Sequence, residues 1–423
     1  MEYIKKDLGS YKLHMIKTTK FKTIRVKVSF RRPIVKEEIT KRNILSDILV
    51  QTSNNYKSRR DLAIKAQDLY AASISSGNTR IGNYINTDII LAVLSDKYTE
   101  EGNFANAVDF LHELIYEPNV ENEMFDEEPL NIIKTRTKTS LESLKEDSNL
   151  YSLIRLLEVM TPESPMSYRT VGYMEDLEEI DSKNLYEYYL DMLKKDLMDI
   201  FVIGDIDFIE VENLIRNKFI AKTFKKSRKK YYLDEIKPRT RKQTILEQDE
   251  NNQSKLAIGA RLNGLTMYER NYPLTLYNII LGGGEDSKLF RNVREKNSLC
   301  YYINSVPQKL DNILIIRAGI DKKNIKKTVS LVEKEMNAIK RGKVTENDLS
   351  MAKEYFTTAI DSLLESQLSI LDHYYMMEVL GTDDIETRLQ KMNEVKLSEV
   401  VKVAKKVKID TIYCLEGVNY ERD

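Results

Sequence analysis

The sequence predicts an α+β protein built from two homologous, duplicated domains, each a mainly antiparallel sheet packed with helices. Three observations carry that prediction. The chain has 423 residues, more than one hydrophobic core ordinarily spans. Strand-like alternation and helical spacing succeed one another in the same order in each half. Related segments recur at long offsets: Leu69–Ile74 is echoed by Leu299–Asn304, and Gly204, after an apolar strand, is echoed by Gly417. Offsets of 230 and 213 residues fit one duplicated unit with unequal loops.

Along the first half, Tyr11–Ile16 and Thr23–Phe30 read as strands, the second alternating Val26, Val28 and Phe30 against charges. Ile44, Leu45, Ile48 and Leu49 fall at helical spacing, and Ser58-Arg59-Arg60-Asp61 has the form of a capping box opening another helix. Residues 73–95 read as a hairpin turning near Asn86, followed by helical patterns from Phe104 to Leu193 and a buried strand at Ile200–Gly204. The second half supplies strands at Thr244–Leu246 and Leu256–Leu262, a helix near Leu274–Leu281, a helix from Leu397 and a last strand. The expected division is a first domain over 1–221, a basic linker over 222–241 containing Lys222, Lys225, Lys226, Arg228, Lys229, Lys230 and Pro238, and a second domain over 242–423.

Composition narrows the function. Lys plus Arg and Asp plus Glu are 66 each, so no global charge favours nucleic acid or an anionic membrane. No run approaches the length of a membrane span, and Met1–Asp7 has no signal-peptide character. Two cysteines, Cys300 and Cys414, exclude a disulfide scaffold and fit a reducing compartment. The expected location is the cytoplasm, without nucleic-acid or membrane partners. Three histidines (His14, His112, His373) stand far apart, and none has a second imidazole or thiol at ligand spacing. Cys300 has no histidine partner in the sequence pattern and reads as a small buried thiol.

The most specific segment is Leu281–Tyr302: a helix running into Gly282, Gly283 and Gly284, then Ser287-x-Leu289-Phe290, Arg294-Glu295-Lys296 and Leu299-x-Tyr301. It lacks the Gly-Lys-Ser/Thr ending of a phosphate loop. In this pattern the chain resembles the second half of the insulinase/pitrilysin (inverted-zincin) metallopeptidase family, with weaker agreement elsewhere. The resemblance implies a substrate-carbonyl role for Arg294 and Tyr301 and a place near the substrate path for the three glycines. A guanidinium can hold a peptide carbonyl by directed bonds, and a phenol can donate to a developing oxyanion.

Family peptidases bind zinc through His-x-x-Glu-His in the first half and a distant glutamate. The matching helix here offers Asn43, Ser46 and Asp47, with the third position near Ser140 or Glu142. One carboxylate and no imidazole make a poor zinc site, so no metal or other cofactor is expected. The resemblance therefore implies a non-zinc subunit, not a peptidase on its own. It would bind an extended peptide and supply Arg294 and Tyr301 in trans to a zinc-bearing partner with His-x-x-Glu-His, as a heterodimer, or else form a homodimer. The peptide would add a strand to a sheet edge, for which the strand over 86–95 is the candidate. The alternative is a purely structural or peptide-binding subunit of the core type with no part in proteolysis.

Overall fold

A computed structural model describes residues 1–219, 229–250 and 252–417. Its first sheet contains β1 (Glu2–Asp7), β2 (Tyr11–Lys17), β3 (Thr23–Pro33), β4 (Ser73–Ile81), β5 (Tyr84–Leu94) and β8 (Leu197–Gly204), while β6 (Val120–Glu121) and β7 (Met124–Phe125) form a separate small hairpin. The second sheet contains β9 (Gln243–Asp249), β10 (Ser254–Leu262), β11 (Cys300–Gln308), β12 (Ile313–Ile320) and β13 (Val407–Gly417). The orders are β1-β2-β8-β3-β5-β4 and β11-β12-β10-β13-β9.

Read from β4 and from β11, the two sheets match strand for strand. In each, four strands pair antiparallel and the fifth joins through a parallel ladder, β2 on β8 and β9 on β13. The first sheet adds only β1 at its far edge. The duplication expected from the sequence is thus present in topology and pairing sense.

Local chemistry accounts for the elements. Ser58 and Asp61 form the reciprocal cap, Asp61 N–H donating to Ser58 Oγ at 3.2 Å and Ser58 N–H to Asp61 Oδ2 at 3.1 Å. The β4–β5 hairpin turns at Gly82-Asn83, between the paired Ile81 and Tyr84, and not near Asn86. Gly82 sits at φ 58°, the conformation a Gly-first two-residue turn requires. This places Asn86 within β5, paired with both Arg31 and Thr79. The expected edge strand over 86–95 is therefore interior. The edge is β4.

The chain forms two compact units, neither a contiguous half. One gathers Met1–Glu142, Arg169–Lys230 and Glu365–Val379; the other gathers Ser143–Tyr168, Tyr231–Leu364 and Leu380–Asp423. The main passage between them, at Lys230–Tyr231, falls inside the segment expected as a linker; Lys222, Lys225, Lys226 and Arg228 lie outside the described residues. In the first unit one sheet face carries the apolar core, including Val26, Val28, Phe30, Ile89 and Leu91. The opposite face is polar and lies under the helix Gln367–Leu380. Lys27 pairs with Asp372 at 2.8 Å and Asp88 at 3.0 Å, Tyr375 Oη donates to Asn86 Oδ1 at 2.7 Å, and Gln367 Nε2 donates to the Thr23 carbonyl at 2.6 Å. In the second unit the helix Ser148–Met160 covers the corresponding face, and here the contact is apolar. Leu156, Met160 and Met166 pack with Ala257, Ile313, Ile315, Tyr413 and Leu415. A Cβ on Gly259 would come within 2.5 Å of Met160 Sδ, so the strand is bare where the helix crosses it. Among the described residues no helix is long and apolar enough to cross a membrane.

Candidate functional site

The sequence-predicted residues fall into two groups, one in each unit. Asn43, Ser46 and Asp47 lie on the helix Ile39–Ile48 of the first unit. That helix is anchored by Arg42, which is 1 % exposed. Its guanidinium donates to Asp196 Oδ2 at 2.6 Å, Thr87 Oγ1 at 2.6 Å and the Phe30 carbonyl at 3.0 Å. A buried guanidinium with a carboxylate and two neutral acceptors has its charge compensated and its donors used. Arg42 fixes the rotation of the helix and so fixes where the next turn points.

What that turn presents is an interlocked set of neutral groups. Asn78, on the edge strand β4, donates to Asn43 Oδ1 at 3.0 Å and Ser46 Oγ at 2.7 Å. Ser46 Oγ donates to the Asn43 carbonyl at 2.9 Å, and Asn43 Nδ2 to the Thr170 carbonyl at 2.9 Å. Asp47 is the one acid of the three positions. Burial raises its carboxyl above the ordinary range, and the Arg136 guanidinium partly offsets this. Ser140 and Glu142 are exposed, and Glu142 lies 4.0 Å from Lys138.

These residues do not fit zinc. The amide and hydroxyl oxygens are engaged with one another, and the charge opposite Asp47 is a guanidinium. Among the described residues no group of three or more His, Cys, Asp or Glu is placed to hold a metal ion. The three histidines are used elsewhere or stand apart. His14 is buried, in hydrogen-bond contact with Tyr3 Oη at 2.8 Å and Asp199 Oδ1 at 3.3 Å, and His112 stacks on Tyr116.

The second group lies between the helix Pro273–Gly282 and β11. The three glycines serve close packing. A Cβ on Gly282 would lie 2.7 Å from Ser305 Oγ, one on Gly283 2.7 Å from Ile279 Cα, and one on Gly284 3.0 Å from the Tyr355 ring. Beyond them the chain enters a helical segment, Phe290–Glu295, wound with π-type i→i+5 bonds such as Lys296 N–H to the Arg291 carbonyl at 3.0 Å. It ends at Ser298, which takes φ 47°, and Asn297 Nδ2 donates back to the Asn292 carbonyl at 2.7 Å. Of its two arginines, Arg291 is tied to Asp348 at 2.9 Å. Arg294 is not held in that way; it lies over the Phe290 ring at 4.6 Å with Glu295 at 3.7 Å.

Arg294 ends the helical segment that leads to β11, and Tyr301 is the second residue of that strand. Burial pushes the Cys300 thiol up to about 11, and the charge of Arg294 opposes that shift. Tyr301 follows and is 64 % exposed. Its neighbour Tyr302 is turned to structure instead, donating to Asn149 Oδ1 at 2.6 Å and lying under Lys255. Sequence reasoning missed Asn78, Arg136 and Arg42. A signal existed for Asn78, since Gly77-Asn78 is a polar interruption within a strand pattern. None marked the other two, whose partners lie far along the chain.

Comparison with known proteins agrees with this architecture. The family model described as "Peptidase M16 inactive domain" matches residues 179–356. A Bacillus subtilis relative, described as a probable inactive metalloprotease (YmfF), is 27% identical over 418 residues, 98% of this chain and 97% of its own. A solved conserved protein from Enterococcus faecalis V583 superposes with a TM-score of 0.90 at 29% identity over the full length of both chains. The chain is similar to inactive members of the insulinase/pitrilysin family. It is a two-domain, peptidase-like chain, and its helix Ile39–Ile48 carries Asn43, Ser46 and Asp47 where the resemblance leads one to expect His-x-x-Glu-His. A solved M16 inactive-domain protein from Pseudomonas fluorescens shares the family fold, with a TM-score of 0.78 at 15% identity over both full chains.

Proposed function

We propose that this chain is the non-zinc subunit of a cytoplasmic insulinase-type peptidase, binding extended peptide and supplying Arg294 and Tyr301 in trans to a zinc-bearing partner. The observation that carries the reading is the contrast within one segment. Arg291, Tyr302 and the three glycines are committed to packing or bonding, while Arg294, on the segment before edge strand β11, touches only its neighbours Phe290 and Glu295 among the contacts described, and Tyr301, second in that strand, is exposed. In that position a guanidinium and a phenol can take a substrate carbonyl and stabilise the oxyanion as charge develops. The compartment follows from two free thiols, Cys300 and Cys414. A peptide would pair with the free side of β4, replacing the interior strand that the sequence suggested. β4 ends the strand order of its sheet, so among the described residues no strand pairs with its outer side.

A second reading, a structural or peptide-binding subunit without a part in proteolysis, is favoured by the Asn43–Ser46–Asn78 bonds, which turn the motif helix into a brace for β4. One experiment separates the two. The purified chain is assayed for bound metal and for cleavage of a mixed peptide pool, then mixed with a purified family member that carries His-x-x-Glu-His. The expected result is no chelator-sensitive cleavage by the chain alone and activity in the mixture above that of the partner. Arg294→Ala should reduce that gain about 100-fold, the scale of removing an oxyanion donor. A mixture no more active than the partner alone would leave the structural reading standing. Stoichiometric zinc with cleavage by this chain alone would overturn both.

A further inference from the structure

The second unit contains a cleft that shares no residue with the peptide-site residues described above. It lies where the last turn of the helix Ile325–Lys340 meets the first residues of β13 and the chain leading into β9, and its volume is about 270 Å³. Met336 and Ile409 contribute apolar surface, and Arg239, Lys242, Lys340 and Lys408 line it with cations. Two of the four are compensated. Arg239 donates to Asp410 from both main chain and guanidinium and to Thr411 Oγ1 at 2.9 Å, and Lys242 pairs with Glu333.

Lys340 and Lys408 are different. Among the described residues neither has an ion pair or a side-chain hydrogen bond. Lys340 is only partly exposed, and burial, with the Lys408 charge beside it, pushes its ammonium below the ordinary lysine range. Two ammoniums at one cleft repel each other, and among the described residues neither is paired with a carboxylate; Glu333, which also lines the cleft, is taken by Lys242. The helix C-terminus adds little repulsion toward an anion, because its last carbonyls are already bonded. Arg341 N–H binds the Asn337 and Ala338 carbonyls, and Gly342 N–H binds that of Ile339 at 2.9 Å.

We propose that this cleft binds a small polyvalent phosphate anion, clamped between Lys340 and Lys408. A dianion matches the two free charges, whereas a single carboxylate leaves one uncompensated. Compact ammonium groups suit phosphate as point charges. Among the described residues no aromatic side chain lines the cleft, so they offer no stacking surface of the kind on which nucleic-acid bases are held.

The test titrates the full chain calorimetrically with inorganic pyrophosphate, inorganic phosphate and a short single-stranded oligonucleotide at fixed ionic strength. Pyrophosphate should bind saturably at one site and raise the melting temperature. Lys340→Gln with Lys408→Gln should weaken binding at least tenfold and abolish the thermal shift, while Lys326→Gln, an exposed lysine on the same helix, should change neither. Without ligand the double variant should melt no lower than the parent, since it removes a repulsion. Binding that does not saturate, equal losses in Lys326→Gln, or capture of the oligonucleotide in preference to pyrophosphate would overturn the proposal.

Discussion

Asp47 shows what burial does to the one acid on its turn of the helix Ile39–Ile48. Its carboxyl is partly buried, has the Arg136 charge nearby, and is raised above its unfolded value chiefly by desolvation. A carboxyl with a raised folded pKa favours the fold while protonated, and this contribution falls away as pH rises from its unfolded to its folded value. At neutral pH the charged form is therefore a net cost. Asp47→Asn is expected to raise the melting temperature by roughly 1–2 °C at pH 7, about half a kcal/mol. The difference from the parent should shrink toward zero below about pH 4, the ordinary Asp range. Scanning calorimetry of both proteins across pH measures it, and a variant less stable at pH 7 would show that the carboxylate is stabilised there. At this scale the sequence was informative about which ligands are missing, because imidazoles can be counted. It was silent about what replaces them. Asn78 and Arg136 reach the motif helix from a strand and a helix that only the fold brings near.

At the scale of the element, β3 is the instructive case. Its alternation of Val26, Val28 and Phe30 against Lys27, Ser29 and Arg31 reads as one apolar face and one solvated face. The apolar half is in the core as that pattern implies. The polar half is buried as well, with Lys27 at 2 % and Arg31 at 6 % exposure, because a helix from the other end of the chain lies across it. Arg31 pairs there with Asp199, and Lys27 with Asp88 and Asp372. No local pattern can announce a cover 340 residues away, and the same blindness made 86–95 look like an edge. The helix is thus held on its sheet largely by charge and hydrogen bonds. Lys27→Met keeps the volume and leaves Asp88 and Asp372 without their cation, at a cost of roughly 3 kcal/mol. Hydrogen exchange should then accelerate by tenfold or more in 367–379 while the helix Ile325–Lys340 keeps its protection. Uniform loss across both helices, or no change, would contradict this account.

Over the whole molecule, the duplicated order of elements was legible because each half repeats one hydrophobic pattern, and the two sheets share one pairing scheme. The exchange of segments between the halves was not legible, since Ser148–Met160 reads as an ordinary amphipathic helix and Gln367–Leu380 as one with apolar residues all round, and neither pattern says which sheet it covers. That exchange has a consequence for folding. A fragment of residues 1–229 contains Leu156, Met160 and Met166 but none of Ala257, Ile313, Ile315, Tyr413 and Leu415, against which they pack. Exposing three such side chains forfeits roughly 1.5–3 kcal/mol each. The same fragment lacks Asp372, Tyr375 and Gln367, so Lys27 and Asn86 lose partners beneath a missing cover. The complementary fragment, 230–423, lacks the helix that fills the second face of its own sheet. Each fragment made alone should therefore aggregate or melt without a cooperative transition, whereas the two refolded together should recover a single soluble species with the circular dichroism of the intact chain. If residues 1–229 alone gave a cooperative melt at the parent temperature, the exchanged segments would be ornaments on two self-sufficient domains, and the ion pairs beneath 367–379 would have to be reassigned a role other than holding the fold together.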